Sequence, residues 1–87
     1  MCYYDITYDD ITYYDIVASI CTETCRTDSH LICGGFNTVE EAVLYIDAHN
    51  ISEADYYSYC RDNETAYIEI EEHNAMSGSI ISVITIY

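Results

Sequence analysis

The sequence contains no lysine, and its only basic residues besides histidine are Arg26 and Arg61, against sixteen Asp and Glu. The formal net charge of −14 leaves almost no carboxylate with a counter-charge in the chain. The excess carboxylates must lie in water, where their mutual repulsion weakens the compact state. The negative electrostatic field of these carboxylates excludes nucleic acid and anionic membranes as direct partners, and it favours a basic protein surface as the partner.

Signals for targeting and for catalysis are also absent. The chain does not open with a basic segment followed by an apolar one, and its longest apolar-rich stretch, residues 80–87, is too short to span a bilayer. No glycine-rich phosphate loop, nucleophile elbow or His-Glu-x-x-His motif occurs. We therefore expect a cytoplasmic protein that is not an enzyme, needs no cofactor and does not bind membranes.

The composition is that of one small folded domain over residues 1–87. Hydrophobic residues make up 51% of the chain, which argues against disorder despite the high charge. A chain of this size buries only about 60–65% of the surface that its unfolded form exposes. We therefore expect one modest core and little room for a deep catalytic pocket.

The five cysteines match no disulfide framework, because their number is odd and their spacing irregular. Reduced thiols in a cytosol are the simplest interpretation. Four potential zinc ligands do lie close together in sequence: Cys21, Cys25, His30 and Cys33. Their spacing differs from paired Cys-x-x-Cys knuckles, so we favour buried thiols over a metal site.

A five-residue pattern repeats three times over residues 3–17, each copy carrying Tyr at its start and Asp-Ile at its third and fourth positions. An odd period in one extended chain would send successive isoleucines to opposite faces. Two extended pieces that break near Asp9 and Asp10 avoid this conflict. The second piece, from Thr12, alternates cleanly and predicts a strand, with one face formed by Tyr14, Ile16, Ala18 and Ile20.

The middle of the chain predicts a loop over residues 22–29, a short strand over residues 31–33 and then a helix over residues 37–50. Thr38 and Glu41 form a capping-box pattern at the start of the helix. Asn50 is a suitable left-handed terminator at its end.

Two interpretations stay open after the helix. Residues 56–60 and 65–71 favour a hairpin, whereas Ser52 could instead cap a short helix that ends at Arg61. Residues 80–87 predict a final strand with Ile80, Ile84 and Ile86 on one side. The sum is an α+β domain in the order β-β-β-α-β-β-β, with one amphipathic helix packed on one face of an antiparallel sheet of about five strands.

The acidic residues and tyrosines are the candidate binding groups. Glu69 and Glu71 are two residues apart on a predicted strand, so they share a face roughly 7 Å apart, a spacing that can imitate a phosphate backbone. Eleven of the twelve aromatic residues are tyrosine, a side chain enriched at interfaces. The predicted protein-binding residues are Asp5, Tyr8, Asp9, Asp10, Tyr13, Asp15, Asp55, Tyr57, Tyr59, Asp62, Glu64, Tyr67, Glu69, Glu71 and Glu72.

Small size, extreme acidity, abundant tyrosine and the absence of a catalytic motif together resemble phage-encoded anti-defence proteins of the DNA-mimic and anti-CRISPR type. The resemblance is one of class and rests on no sequence motif. It implies an inhibitor that docks into the Lys/Arg-lined nucleic-acid path of a Cas effector or another defence nuclease, acting as a monomer or a small homo-oligomer. The alternatives are an acidic adaptor or antitoxin-like module without nucleic-acid mimicry, and a zinc or redox module.

Overall fold

A computed structural model describes residues 11–87, which form one antiparallel sheet and two helices. The elements follow the order β1 (Thr12–Cys21), β2 (Arg26–Phe36), α1 (Val39–Ala48), a 3-10 helix (Glu53–Tyr59), β3 (Thr65–Asn74) and β4 (Ile80–Thr85). The strands lie in the order β2-β1-β3-β4. The α+β class with an antiparallel sheet is therefore confirmed, but the described residues form four strands rather than about five and contain a second helix.

The core lies between α1 and the two central strands. Ile16 and Ala18 of β1 and Ile68 and Ile70 of β3 are fully buried, because the unbroken pairing of β1 with β3 places them on one face of the sheet. Ala42 and Ile46 of α1 pack against them. The predicted face with Ile16, Ala18 and Ile20 is thus confirmed as the core face of β1, although Val17 and Ser19 on its opposite face are buried as well.

Local sequence determines both ends of α1. The Thr38 hydroxyl accepts a hydrogen bond from the Glu41 amide at 3.1 Å, while the Glu41 carboxylate accepts one from the Asn37 amide at 3.0 Å. At the other end Asn50 has φ +54°, and the Ile51 amide donates back to the Ile46 carbonyl at 3.0 Å. This is a Schellman ending, so the predicted N-cap and terminator are confirmed.

The loop that connects β1 and β2 is shorter than the run of polar residues in this segment predicts. The predicted loop over residues 22–29 is wrong in its second half, because β2 begins at Arg26 and Ser29 pairs with Ser19. β2 also continues past Gly34 to Phe36, with register shifts opposite Tyr14–Val17. Pairing with β1 supplies the backbone hydrogen bonds that a polar segment lacks on its own.

The preferred hairpin for residues 56–60 is wrong. Those residues belong to the 3-10 helix, which Ser52 caps by accepting a hydrogen bond from the Ala54 amide at 3.1 Å. The capped helix that the sequence offered as the rival interpretation is the one observed. A side-chain cap therefore outweighs the strand preference of tyrosine here.

The last strand also departs from its predicted pattern. Ile84 pairs with Ile70, but an irregularity at the start of β4 places Ile80 opposite His73. Because Ile70 and His73 lie on opposite faces of β3, Ile80 and Ile84 do too, which corrects the single apolar side expected for them.

Candidate functional site

The sheet face that α1 does not cover carries a cluster of charged side chains built around Arg26. Its guanidinium contacts Glu71 at 3.0 Å and Glu69 at 3.3 Å, and the side chains of these glutamates are 7% and 13% exposed. Arg26 lies on β2 and the glutamates on β3, so its side chain crosses the intervening strand β1. Ser19 is the fully buried β1 residue between them, and its hydroxyl donates to Glu69. A small side chain at this position gives Arg26 room to reach across.

His73 lies at the other end of this cluster, with a hydrogen-bond acceptor near each of its ring nitrogens. Its Nδ1 lies 2.9 Å from the Gly78 carbonyl oxygen and its Nε2 lies 3.0 Å from a Glu71 oxygen. A carbonyl oxygen only accepts hydrogen bonds, so the ring nitrogen that faces Gly78 is the donor in that bond. The bond to Gly78 raises the pKa of His73, burial opposes this, and Glu71 and Asp15 raise the pKa further. Tyr13 stacks on the imidazole with ring centroids 5.1 Å apart.

Asp15 completes the cluster through the two glycines of β2. The Gly35 amide donates to Asp15 Oδ1 at 3.0 Å, and Asp15 Oδ2 lies 3.6 Å from His73 Nε2. A Cβ atom on Gly34 would collide with the Asp15 carboxylate, so a larger residue there would displace this side chain. We call the six residues the open-face network: Asp15, Ser19, Arg26, Glu69, Glu71 and His73.

Four carboxylates predicted to bind a partner are therefore engaged inside the chain. Asp15, Glu69 and Glu71 belong to the open-face network. Glu72 points to the helix side of the sheet, where it accepts hydrogen bonds from Tyr14 at 3.4 Å and from Ser82 at 2.9 Å. Glu69 and Glu71 do share a face as expected, but Arg26 neutralises much of their charge. They are poor candidates for contact with a basic protein.

Of the remaining predicted acids in the described chain, Asp55 lies in the 3-10 helix, and Asp62 and Glu64 lie between this helix and β3. Glu64 accepts hydrogen bonds from the Thr27 hydroxyl at 2.6 Å and from the Arg61 amide at 2.7 Å. These two bonds, the Thr27 bond foremost, lower the pKa of Glu64 and keep it ionised. Asp55 and Asp62 are exposed.

Exposed tyrosines accompany these acids. Tyr57 and Tyr59 are 51% and 57% exposed, and the Tyr59 ring lies 4.6 Å from the ring of His30. A shallow cavity of about 160 Å³ is lined by Ile20, Thr27, Asp28, Tyr59, Arg61 and Glu64. We call the acids and tyrosines of the 3-10 helix, of the turn that follows it and of the facing part of β2 the acidic tyrosine surface: Asp28, Asp55, Tyr57, Tyr59, Asp62 and the half-buried Glu64.

The other predicted tyrosines are distributed differently. Tyr13 is half-buried against His73, and Tyr67, 37% exposed, shares its face of β3 with Glu69 and Glu71. Four predicted residues, Asp5, Tyr8, Asp9 and Asp10, lie outside the described residues.

Sequence reasoning missed Arg26, His73 and Asp28 as residues that shape these surfaces. The partners of Arg26 are 43 and 45 residues away in sequence, so no local pattern reveals them. Asp28 fell in a segment predicted to be a loop, although its exposure and its acidity are visible from the sequence.

The four candidate zinc ligands do not converge. Cys21 pairs with Arg26 at one end of β1, whereas Cys33 lies opposite Ile16, five residues away along the strand. Five strand residues span roughly 17 Å, so one ion cannot bind both thiols. Cys21, Cys25, Cys33 and Cys60 are free thiols, and residues 11–87 contain no group of three or more His, Cys, Asp or Glu placed to hold a metal. Burial raises the pKa of Cys21, and the nearby Glu69 raises it further.

Comparisons with protein-family models, curated proteins and solved structures gave no match. Function must therefore be argued from the chain itself. None of the helices within residues 11–87 has the length and apolar character needed to cross a bilayer.

Thirteen of the sixteen acidic residues lie within residues 11–87. Four of them lie within 4 Å of an arginine or histidine nitrogen, namely Asp15, Asp28, Glu69 and Glu71. The other nine have no such partner in the described part of the chain. Most of the negative charge of the described residues therefore comes from carboxylates outside the open-face network.

Proposed function

We propose that this protein inhibits a nucleic-acid-binding defence effector of the Cas or nuclease type. Its exposed carboxylates and tyrosines dock onto a Lys/Arg-lined surface and compete there with DNA or RNA. The observation that supports the proposal is the division of the acids: the three carboxylates of the open-face network lie beside Arg26 and His73, whereas nine others within residues 11–87 have no arginine or histidine nitrogen within 4 Å. Solubility alone needs a net charge of only about 2–8, far below the charge present.

The acidic tyrosine surface is the best candidate for the docking face. Charged oxygens at Asp55, Asp62 and Glu64 accept hydrogen bonds from Arg and Lys donors, and such charge-assisted bonds are roughly twice as strong as neutral ones. Tyr57 and Tyr59 add apolar area and a hydroxyl, the combination that recurs at interface hot spots. Thr27 and the Arg61 amide hold Glu64 in one place, which lowers the entropy lost on binding.

The first experiment identifies the target. A tagged chain is expressed in cells that carry defined nuclease-based defence systems, captured partners are identified, and the complex is then rebuilt from purified components. We expect the partner to be a nucleic-acid-binding protein and the affinity to fall as salt rises from about 0.05 to about 0.5 M, because salt screens the steering charges. An affinity independent of salt would rule out charge mimicry.

The second experiment locates the docking face with two charge-matched double variants. Asp55→Asn with Asp62→Asn, and Glu40→Gln with Asp47→Asn, each remove two exposed negative charges, the second pair from α1. Because a hydrogen bond to a charged group contributes about 1.5–3 kcal/mol, the first variant should weaken binding at least about tenfold. The second should weaken it only slightly, through the long-range field. Equal losses would show that no particular face is recognised.

Tyrosine is tested by a further matched pair. Tyr57 and Tyr87 are 51% and 52% exposed, so truncating each to alanine removes similar exposed area. We expect Tyr57→Ala to weaken effector binding by at least about tenfold, as at a hot spot, and Tyr87→Ala to leave it nearly unchanged.

The alternative function, an adaptor without nucleic-acid mimicry, predicts a different result in the binding experiment. Such an adaptor would bind its partner while nucleic acid stays bound to that partner.

A further inference from the structure

We propose that the outer edge of β4 pairs with β4 of a second copy, so that two chains share one continuous eight-stranded sheet. Residues 80–87, Ile-Ile-Ser-Val-Ile-Thr-Ile-Tyr, contain no charged side chain, although the whole chain carries a charge of −14. Within residues 11–87, β4 is hydrogen-bonded to β3 alone, so no other strand of this described part occupies its second edge. This inference concerns self-association and is independent of the proposed effector.

The two edges of the sheet differ in how they are protected. The edge strand β2 carries Arg26, Asp28 and His30, and its pairing with β1 is irregular at three places. Charges and bulges of this kind prevent edge-to-edge pairing. β4 has neither charge nor proline and is irregular only at its start. One edge is therefore blocked and the other is open.

The side chains of β4 are exposed and apolar. Ile80, Ile81, Val83 and Ile84 are between 41% and 51% exposed, and they point to both faces of the sheet. The nearby acids do not extend past the edge, because Glu72 is bonded to Ser82 at 2.9 Å and Glu69 to Thr85 at 3.3 Å. The edge is thus the place where two copies can approach with the least charge repulsion.

The backbone geometry selects a register. The Ile86 amide donates to the Ile68 carbonyl at 2.8 Å, so this residue bonds toward β3. Because bonding alternates along an antiparallel strand, the amides and carbonyls of Val83 and Thr85 point to the free edge. A twofold axis at Val83 places Val83 opposite Val83 of the second copy and Thr85 opposite Ile81, with matching faces of the two sheets continuous. Such a contact is self-complementary, as a twofold interface must be.

A second copy fits this edge better than a basic partner does. An uncharged, β-branched strand offers nothing to Lys or Arg, but it offers backbone bonds and apolar contacts to an identical strand. Six paired residues bury less than the roughly 800 Å² per partner of a standard interface. We therefore expect a weak dimer.

The test is analytical ultracentrifugation of the full chain under reducing conditions, at low and high salt, with two matched variants. Val83 and Val43 are 43% and 40% exposed, and Val43 lies on α1. Val83→Glu adds a charge at the proposed axis, and Val43→Glu adds the same charge elsewhere. We expect wild type to dimerise more tightly as salt rises, Val83→Glu to weaken dimerisation at least about tenfold, and Val43→Glu to change it far less.

Hydrogen exchange of the wild-type chain gives an independent readout that does not require the variant to fold. The amides of Val83 and Thr85 should be protected at high protein concentration and exchange freely on dilution. A chain that stays monomeric at all concentrations, a dimer unaffected by Val83→Glu, or amides protected in the dilute monomer would each overturn the proposal. Effector binding weakens with salt whereas this dimer strengthens, so the failure of one leaves the other standing.

Discussion

Replacing Arg26 tests how much the open-face network contributes to stability. The chain supplies its own control, since Arg61 is its other arginine and makes no ion pair within residues 11–87. Arg26→Leu and Arg61→Leu both change the net charge from −14 to −15, so general charge repulsion affects the two variants alike. The difference between them reports the contacts of Arg26.

The size of that difference follows from the geometry of the pair. Removing one partner of a fully buried ion pair costs about 3–5 kcal/mol, because the other charge stays buried alone. Glu71 is only 7% exposed, but Arg26 is 34% exposed and Glu71 keeps its contact with His73 at 3.0 Å, so solvent and this remaining contact reduce the loss. We expect Arg26→Leu to lower the free energy of unfolding by about 2 kcal/mol relative to Arg61→Leu. For a domain of this size, that lowers Tm by roughly 8–16 °C.

Urea unfolding followed by circular dichroism measures this difference. Wild type and both variants should show the same slope with denaturant, so that midpoints can be compared directly. If the two arginine variants unfold at the same midpoint, the contacts of Arg26 with Glu69 and Glu71 do not stabilise the fold. The distinction between engaged and exposed carboxylates would then lose its energetic basis.

Three further predictions concern the same fold. The pKa of His73 is raised above its ordinary value of 6.5, so its contribution to stability is complete below that pH and is lost as pH rises through the folded value. The unfolding free energies of wild type and His73→Gln should therefore converge as pH rises from about 6 through the folded pKa of His73, and a constant gap would contradict a raised pKa. Ile68→Ala empties a fully buried core position and should cost about 2–5 kcal/mol by urea unfolding, so a loss below about 1 kcal/mol would place Ile68 outside the core. Thr38→Ala removes the N-cap of α1 and should cost about 1 kcal/mol in the same assay, whereas an unchanged midpoint would mean that the cap is not needed.

Features set by neighbouring residues were predictable from the sequence. The ends of α1 depend on Thr38, Glu41 and Asn50, which act within one or two helical turns. The core faces of β1 and β3 follow from alternation, because alternate residues of a strand point to the same side of the sheet.

Features set by distant partners were not predictable in the same way. The polar composition of residues 26–29 predicts a loop. These residues form the start of β2 because they pair with the facing strand β1. Glu69 and Glu71 were expected to face a partner, because nothing local shows that Arg26 reaches them across Ser19. The tyrosines around Tyr57 favour a strand by composition, but this segment forms a 3-10 helix that the Ser52 side chain caps. The pairing of strands and the ion pairs that cross the sheet therefore could not be predicted from the sequence.

The most direct test of the central claim asks whether effector, nucleic acid and this protein can form one complex. The purified effector is bound to a labelled cognate DNA or RNA, and the protein is titrated in while label release and complex mass are followed. Competition for one basic surface predicts that the nucleic acid is displaced in proportion to bound protein, and that displacement weakens as salt rises. A stable three-component complex with the nucleic acid still in place would contradict the account.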